Sequence, residues 1–551
     1  MSQTGDESAI GPTRQEEGGL EGAVGAASLE GVLPPKTEDQ GGASGGAWGV
    51  AMLFLLVGAF MSILDSSIVN VAIPTLESAF SATTADIQWV ITIYLLVLGV
   101  AVPASGWLTD RFGPKHLYVA SLAVFTIGSF LSGLAWSTGS LIAFRAFQAI
   151  GGGMIMPVTM SMVYQLVPRS RIGTAMGIFG VALILAPAIG PTLGGYLVQY
   201  VDWRFIFYIN VPIGIFGFFG SLAYLPSMRT RPAGRFDLAG FIASAVGLFA
   251  LLLALSEGAT WGWTSEGVIL FFYTAFASLV LFVWIELTTK DPLLDLKVFR
   301  YTQFTLSLAV MAVVMVALYS GIFYVPLFLQ EVVGLGAFQT GLILLPASLV
   351  TAVLMPVSGR LYDRIGPAPL SVVGLTVMAV TTYFFHQLSP MTPTGTVVLW
   401  MSLRAIGMAF AMMPVTTSGM TWIPTQDVAR ASAVNNIVQR LSASFGLAVL
   451  TSLVTGWESS RVAGYVAAFN PGNALALHFY QSLVTLLRST SQAVTLVLGL
   501  ANRNAFVSAI DDLFVVAAAI VVVGIVPSFF LRTNRAPGEH VVEGRMGGSL
   551  E

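Results

Sequence analysis

From Trp48 onward the chain repeats a single pattern, an apolar run followed by a short polar or Gly/Pro break and then another apolar run. A run of about 20 residues, wound as a helix rising about 1.5 Å per residue, crosses a hydrocarbon layer of about 30 Å. The pattern predicts spans over 48–71, 87–108, 117–136, 141–166, 173–198, 205–225, 238–256, 267–287, 304–330, 340–359, 368–388, 396–421, 431–455 and 510–531, fourteen in all. Helices are the expected form for all of them, because hydrocarbon offers no partner to an unpaired backbone group.

The basic residues in the breaks set the orientation. The breaks holding Arg111/Lys115, Arg169/Arg171, Arg229/Arg231/Arg235, Lys290/Lys297/Arg300, Arg360/Arg364 and Arg430 carry thirteen Lys and Arg, whereas the alternate short breaks carry only Arg204. Lys and Arg concentrate in cytoplasmic loops. The first set is therefore expected in the cytoplasm, and an even number of spans places both termini there, in a multi-pass protein of the cell inner membrane.

Two regions break the pattern. Residues 1–46 are rich in Gly, Ser and Glu, with eight acids against two basic residues. Such a segment buries too little to offset its ordering entropy, so it is expected as a disordered cytoplasmic tail, and 536–551 is expected as a cytoplasmic C-terminal tail. Residues 456–509 form a long connection on the outer side, expected as an amphipathic surface segment or a re-entrant hairpin.

Composition narrows the function classes. The chain is 55% apolar and 10% charged over 551 residues, against roughly 25% charged in soluble domains, so lipid must be its solvent. The net charge of −3 gives no basic field for nucleic acid. There is no Cys and only four scattered His, so no metal site and no cofactor is expected. The phosphate-cradling GxxxxGK[ST] pattern is absent, which argues against ATP as an energy source.

An internal repeat organises the whole. Gly106-Trp-Leu-Thr-Asp110-Arg111-Phe-Gly113-Pro114 returns as Gly359-Arg-Leu-Tyr-Asp363-Arg364-Ile-Gly366-Pro367, 253 residues later. Arg145 and Arg404 each precede a Met-Pro-Val-Thr, at 156–159 and 413–416. Two related halves in parallel orientation follow. The expected division is a first six-helix bundle over 47–230, two inserted spans with their connection over 231–300, and a second six-helix bundle over 301–535 that includes 456–509.

With these residues in view the chain resembles the major facilitator superfamily, in its fourteen-span drug:proton antiporter branch. The 106–114 loop is similar to the superfamily's cytoplasmic loop signature. Leu64-Asp65-Ser-Ser-Ile-Val-Asn70-Val-Ala-Ile-Pro74 resembles the branch's first-span motif, Arg145-Ala-Phe-Gln148-Ala-Ile-Gly151 its fourth-span proton-linked motif, and Gly177 through Gly195 its fifth-span antiporter motif. The resemblance implies a proton-coupled secondary transporter, not an enzyme, that exports amphiphilic or cationic drugs by alternating access. The same fold exporting a dedicated metabolite, lipid or self-made antibiotic is the alternative. The implied partners are a small amphiphilic substrate, protons and the bilayer, in a monomer.

Individual residues then acquire expected roles. Asp65 lies about 25 Å into its span, where an ionised carboxylate is costly and the protonated acid is the cheaper form. It is the expected proton carrier, with Arg145 either tuning it or snorkelling to the outer interface. Gly106, Asp110, Arg111, Gly113 and Lys115 form a cytoplasmic latch in which Asp110 can meet a helix N-terminus of the other bundle. Asp363 and Arg364 form a second latch, expected to be the weaker because Ala368 follows its Gly-Pro pair where the first copy has Lys115. Pro187, Gly190, Pro191 and Gly194 mark a small-residue stripe and kinks, expected to seal or flex between the halves. Asn70, Tyr94, Gln148, Phe323 and Tyr324 are candidates to line the substrate cavity. Arg404 and Arg440 have no evident acidic partner.

Overall fold

A computed structural model describes residues 47–228, 234–468 and 474–532. The expected tails, 1–46 and 536–551, lie outside the described residues. Among those described there is no strand, and fourteen helices are long and apolar enough to cross a membrane. They are α1 (Ala47–Val71), α2 (Thr84–Phe112), α3 (Pro114–Gly133), α4 (Thr138–Leu166), α5 (Ile172–Tyr200), α6 (Asn210–Tyr224, whose span begins with the short helix at Phe205) and α7 (Leu238–Trp261). The remaining seven are α8 (Glu266–Thr288), α9 (Thr302–Leu327), α10 (Ala337–Ile365), α11 (Pro367–Phe384), α12 (Thr394–Met420), α13 (Val428–Ala468) and α14 (Thr490–Ser528).

Local chemistry sets several helix ends. Thr83 and Asp86 form a reciprocal capping box at the start of α2, and Ser137 with Ser140 does the same for α4. In both copies of the repeat one glycine ends a helix and a proline starts the next. Gly113 has φ 82° and Gly366 φ 85°, values an L side chain rarely adopts, and Pro114 and Pro367 follow at first-turn positions where a missing N–H costs nothing. The repeated Gly-Pro is thus a hard reversal between α2 and α3 and between α10 and α11.

Within α1–α6, α1 packs on α4, α5 and α6, while α3 packs on α4 and α6; within α9–α14, α9 packs on α12, α13 and α14. The two groups meet along α5 against α10 and along α2 and α4 against α13. Helix α7 lies against α2, α13 and its partner α8. Tyr273, Phe276 and Trp284 project from α8 with most of their surface uncovered, as a lipid-facing helix requires.

Within 456–509 most residues continue two spans, and only Ala474–Leu487 forms a separate short helix. Helix α13 is 41 residues long and α14 is 39, each about 60 Å and roughly twice a hydrocarbon core. Residues that read as a connection are therefore mostly continuations of two spans. Arg461 of α13 pairs with Asp512 of α14, and the 14-residue helix Ala474–Leu487 packs on α14. Residues 469–473 lie outside the described residues.

Candidate functional site

Five helices of the first group bring polar side chains to one buried point. Asp65 of α1 is 0% exposed and accepts three hydrogen bonds: from Arg145 Nη1 at 2.5 Å, from Gln148 Nε2 at 2.9 Å and from Asn210 Nδ2 at 2.9 Å. Arg145 Nη1 also donates to Gln148 Oε1 at 2.8 Å, so the i, i+3 pair on α4 acts as one clamp. Asn210 Nδ2 further donates to Ser129 Oγ on α3 at 3.1 Å, and Ser129 Oγ donates to the Phe207 carbonyl at 2.9 Å. From α2, the Tyr94 ring lies 3.8 Å from the Arg145 guanidinium carbon, and its hydroxyl donates to the Ser62 carbonyl at 3.4 Å.

This geometry corrects one sequence expectation. Arg145 is 1% exposed and turns inward to Asp65 rather than snorkelling to an interface. Asp65, for its part, is held by a cation and two amide donors. Removing one member of such a pair leaves an uncompensated buried charge, at a cost of about 3–5 kcal/mol.

The small stripe of α5 faces this site, not the other half. A Cβ on Gly190 would sit 2.5 Å from Ser67 Oγ, and one on Gly194 would sit 2.7 Å from Ile68 Cγ1, both on the turn of α1 that follows Asp65. Pro191 has no N–H to give the Pro187 carbonyl, and Ser67 Oγ donates to that carbonyl at 3.2 Å instead. The seam between the halves uses another face of α5, from Gly173 as far as Thr192, whose Oγ1 a Cβ on Gly341 of α10 would meet at 3.1 Å. A Cβ on Gly177 would sit 2.5 Å from the Met355 carbonyl, and Gly359 lies directly against the Gly173 carbonyl. The expectation that Gly190 and Gly194 seal the halves is thus corrected: they join α5 to the Asp65 helix, while Gly173 and Gly177 join it to α10.

At the basic end, both loop copies reach across to the first turn of a helix in the other group. Asp110 pairs with Arg430 of α13 at 3.2 Å, and Arg430 also lies 3.9 Å from Asp295. Gly106 leaves room for this side chain, since its Cβ would sit 3.3 Å from Arg430 Cγ. Asp363 accepts from the Gly173 and Thr174 amides at 3.0 and 3.1 Å and from the Thr174 hydroxyl at 3.0 Å. Charge and unpaired N–H groups at the α5 start favour this bond set. Asp363 thus meets the backbone of a helix N-terminus, the contact the sequence placed at Asp110. Arg111 and Arg364 are exposed and Lys115 is half-buried.

The loops flanking the inserted pair rest on the first latch. Trp107 Nε1 donates to the Gly234 carbonyl at 3.0 Å, and buried Glu286 accepts from the Leu293 and Leu294 amides at 3.1 and 3.2 Å.

The five candidate cavity residues separate. Tyr94 and Gln148 belong to the sealed Asp65 cluster and do not line an open cavity in this conformation, because Arg145 and Asp65 occupy their polar faces. Tyr324 is 2% exposed and donates to Thr451 Oγ1 at 3.0 Å, whereas Phe323 is 43% exposed and Asn70 is also exposed. Asn210, Ser129 and Arg430 were missed in the sequence. An Asn at the start of an otherwise apolar span was the available signal for the first.

A buried ion pair, two pairs of contacts between the halves and fourteen candidate spans are the setting of the comparisons with known proteins. The Major Facilitator Superfamily model matches residues 55–447, and the chain belongs to that family. It is similar to the uncharacterized MFS-type transporter YhcA of Bacillus subtilis (strain 168), with 36% identity over 88% of this chain and 93% of that one. It is 30% identical to the lincomycin resistance protein LmrB of the same organism, over 87% and 95%. It is also 33% identical to the multidrug resistance protein Stp of Mycobacterium tuberculosis (strain CDC 1551 / Oshkosh), over 74% and 76%. Among solved structures it resembles the human organic anion transporter MFSD10 (TETRAN), with a TM-score of 0.56 and 11% identity over 87% of this chain and 99% of that one. The proton:xylose symporter XylE gives a TM-score of 0.54 at 12% identity over 86% of this chain and 94% of that one. These structures show the fold alone.

Proposed function

We propose that the protein is a proton-coupled exporter of amphiphilic compounds, working by alternating access between the bundles 47–230 and 301–535, with 231–300 as the inserted pair. Its basic end is the cytoplasmic side of the inner membrane, with both termini there. The observation that carries this reading is the Asp65–Arg145 pair, enclosed in one half and contiguous through Ser67, Gly190 and Gly194 with the helix that seals against the other half. Protonating Asp65 removes half of that pair and releases Arg145 to other partners, which changes the α1–α5 contact and through α5 the seam with α10. A carboxylate whose protonation and a seam whose opening share one helix supply the two-state element that coupling requires. The relatives named for lincomycin and multidrug resistance support export of small compounds.

Asp65 is shut inside five helices, so it does not present a carboxylate to a cationic substrate in this conformation, and its part is the proton's. One proton moving down a pH unit and 100 mV releases about 3.7 kcal/mol, sufficient for about a 500-fold gradient of a neutral compound. The test is uphill export in proteoliposomes with an imposed proton gradient. Asp65→Asn, inserted in the membrane, is expected to abolish accumulation while leaving downhill exchange. Accumulation at the wild-type level in that variant overturns the reading.

A further inference from the structure

Arg145, Arg404 and Arg440 all sit well inside spans, and their fates differ. Arg145 is bound to Asp65. Arg404 of α12 is bound within its own half, donating to the Ala317 and Leu318 carbonyls and to Thr382 Oγ1 at 3.3 Å. Arg440 of α13 has neither kind of partner. Its Nε is buried without a hydrogen bond, and among the described residues no carboxylate pairs with it. Its electrostatic neighbours are Tyr319 of α9 and Tyr94 of α2.

Those neighbours fix where the charge points. Arg440 lies twelve residues into α13, about 18 Å along the helix from its basic end. Tyr94 belongs to the opposite half, so the guanidinium faces the seam between halves and not lipid, where a permanent cation is expensive. Arg440 is half-buried and Tyr319 is 37% exposed at this depth. Arg440 thus carries its charge at mid-span, between the halves and partly uncovered.

We propose that Arg440 is the head-group site of the substrate cavity and that the compounds carried best are amphiphiles with one acidic group. This rests on the export reading above and names its substrate class. The guanidinium supplies five donors and a charge that does not titrate away, matched to a carboxylate, sulfonate or phosphate. Tyr319 offers an aromatic face for the apolar part. The acid that could have drawn cations, Asp65, is already saturated by Arg145, Gln148 and Asn210. The uncompensated charge of Arg440 is positive, and an amine approaching it meets repulsion.

The test is equilibrium binding to the protein in lipid nanodiscs, without a gradient, of two fluorescent probes of nearly one shape: 11-(dansylamino)undecanoate and its methyl ester. Wild type is expected to bind the acid more tightly than the ester. Arg440→Gln is expected to raise the Kd of the acid about tenfold or more while leaving the ester within about twofold, and Arg440→Lys to retain most of the preference. Asp65→Asn is expected to keep the acid's affinity even where uphill export is lost, so failure of the coupling reading shows in transport and failure of this one in binding. Wild type binding the acid no better than the ester, including binding neither, overturns the proposal. An Arg440→Gln that weakens both probes alike also overturns it, since the residue is then structural.

Discussion

Ser67 of α1, two residues beyond Asp65, donates its hydroxyl to the Pro187 carbonyl of α5 at 3.2 Å. That carbonyl is left without a helical donor by Pro191, and the glycines at 190 and 194 bring α1 close enough for a side chain to replace it. The kink in the fifth span and the turn that follows the carboxylate are therefore one hydrogen-bonded unit.

Ser67→Ala is expected to leave the protein folded and less stable by about 1 kcal/mol, the worth of one such bond. Export is expected to fall while binding of a neutral amphiphile holds, because the bond joins the proton site to the moving helix. Parallel melting and transport assays check this. Unchanged export with an unchanged melting midpoint removes Ser67 from the coupling route.

A double-mutant cycle tests the buried pair. Asp65→Asn strands the Arg145 guanidinium and Arg145→Gln strands the carboxylate, each expected to destabilise by about 3–5 kcal/mol. The double variant is expected to regain most of the lost melting temperature without regaining proton-coupled export. Additive losses would show that the two residues act separately.

Arg145→Lys is expected to retain part of the export that Arg145→Ala loses. A single nitrogen, Nη1, contacts both Asp65 and Gln148, so an ammonium can replace it without a guanidinium fork. Equal loss in both variants would assign the residue's importance to its stacking on Tyr94.

The two glycine faces of α5 are expected to fail differently. Gly359→Ala pushes a methyl group into the Gly173 carbonyl and should part the halves at the basic end, whereas Gly190→Ala pushes one toward Ser67 inside the first half. The chain has no Cys, so a pair of introduced cysteines bearing spin labels reports the half-to-half distance without background. The distance at the basic end should lengthen in Gly359→Ala and hold in Gly190→Ala. The reverse pattern refutes the assignment of the two faces.

The latches make an ordered comparison. Asp363→Asn weakens three bonds at the start of α5, and Asp110→Asn removes the ion pair with Arg430, which still faces Asp295. The larger opening of the basic end is expected for Asp363→Asn, because its carboxylate holds backbone N–H groups and the positive end of a helix. The same spin-label distance measures both.

The fourteen spans, the alternation of basic breaks, the duplicated Asp-Arg-x-Gly-Pro loop and the placing of one acid inside α1 were all legible in the chain. Each is a local property: apolar length and composition decide what enters lipid, and Gly with positive φ followed by Pro decides where the chain reverses. Tertiary structure alone decided which groups meet. Arg145 lies 80 residues from Asp65 and Asn210 lies 145 away, so their convergence depends on how α1, α4 and α6 are rotated against one another. The stripe of α5 showed which residues were small but not which helix they faced, since any neighbour gains from close approach. The continuation of α13 and α14 through 456–509 was hidden because polar residues mixed into an apolar run read as an end of a span, whereas a helix leaving the hydrocarbon keeps its backbone bonds and needs no such end. The lone position of Arg440 was open to neither composition nor period, because a missing partner is visible only once every neighbour has been placed.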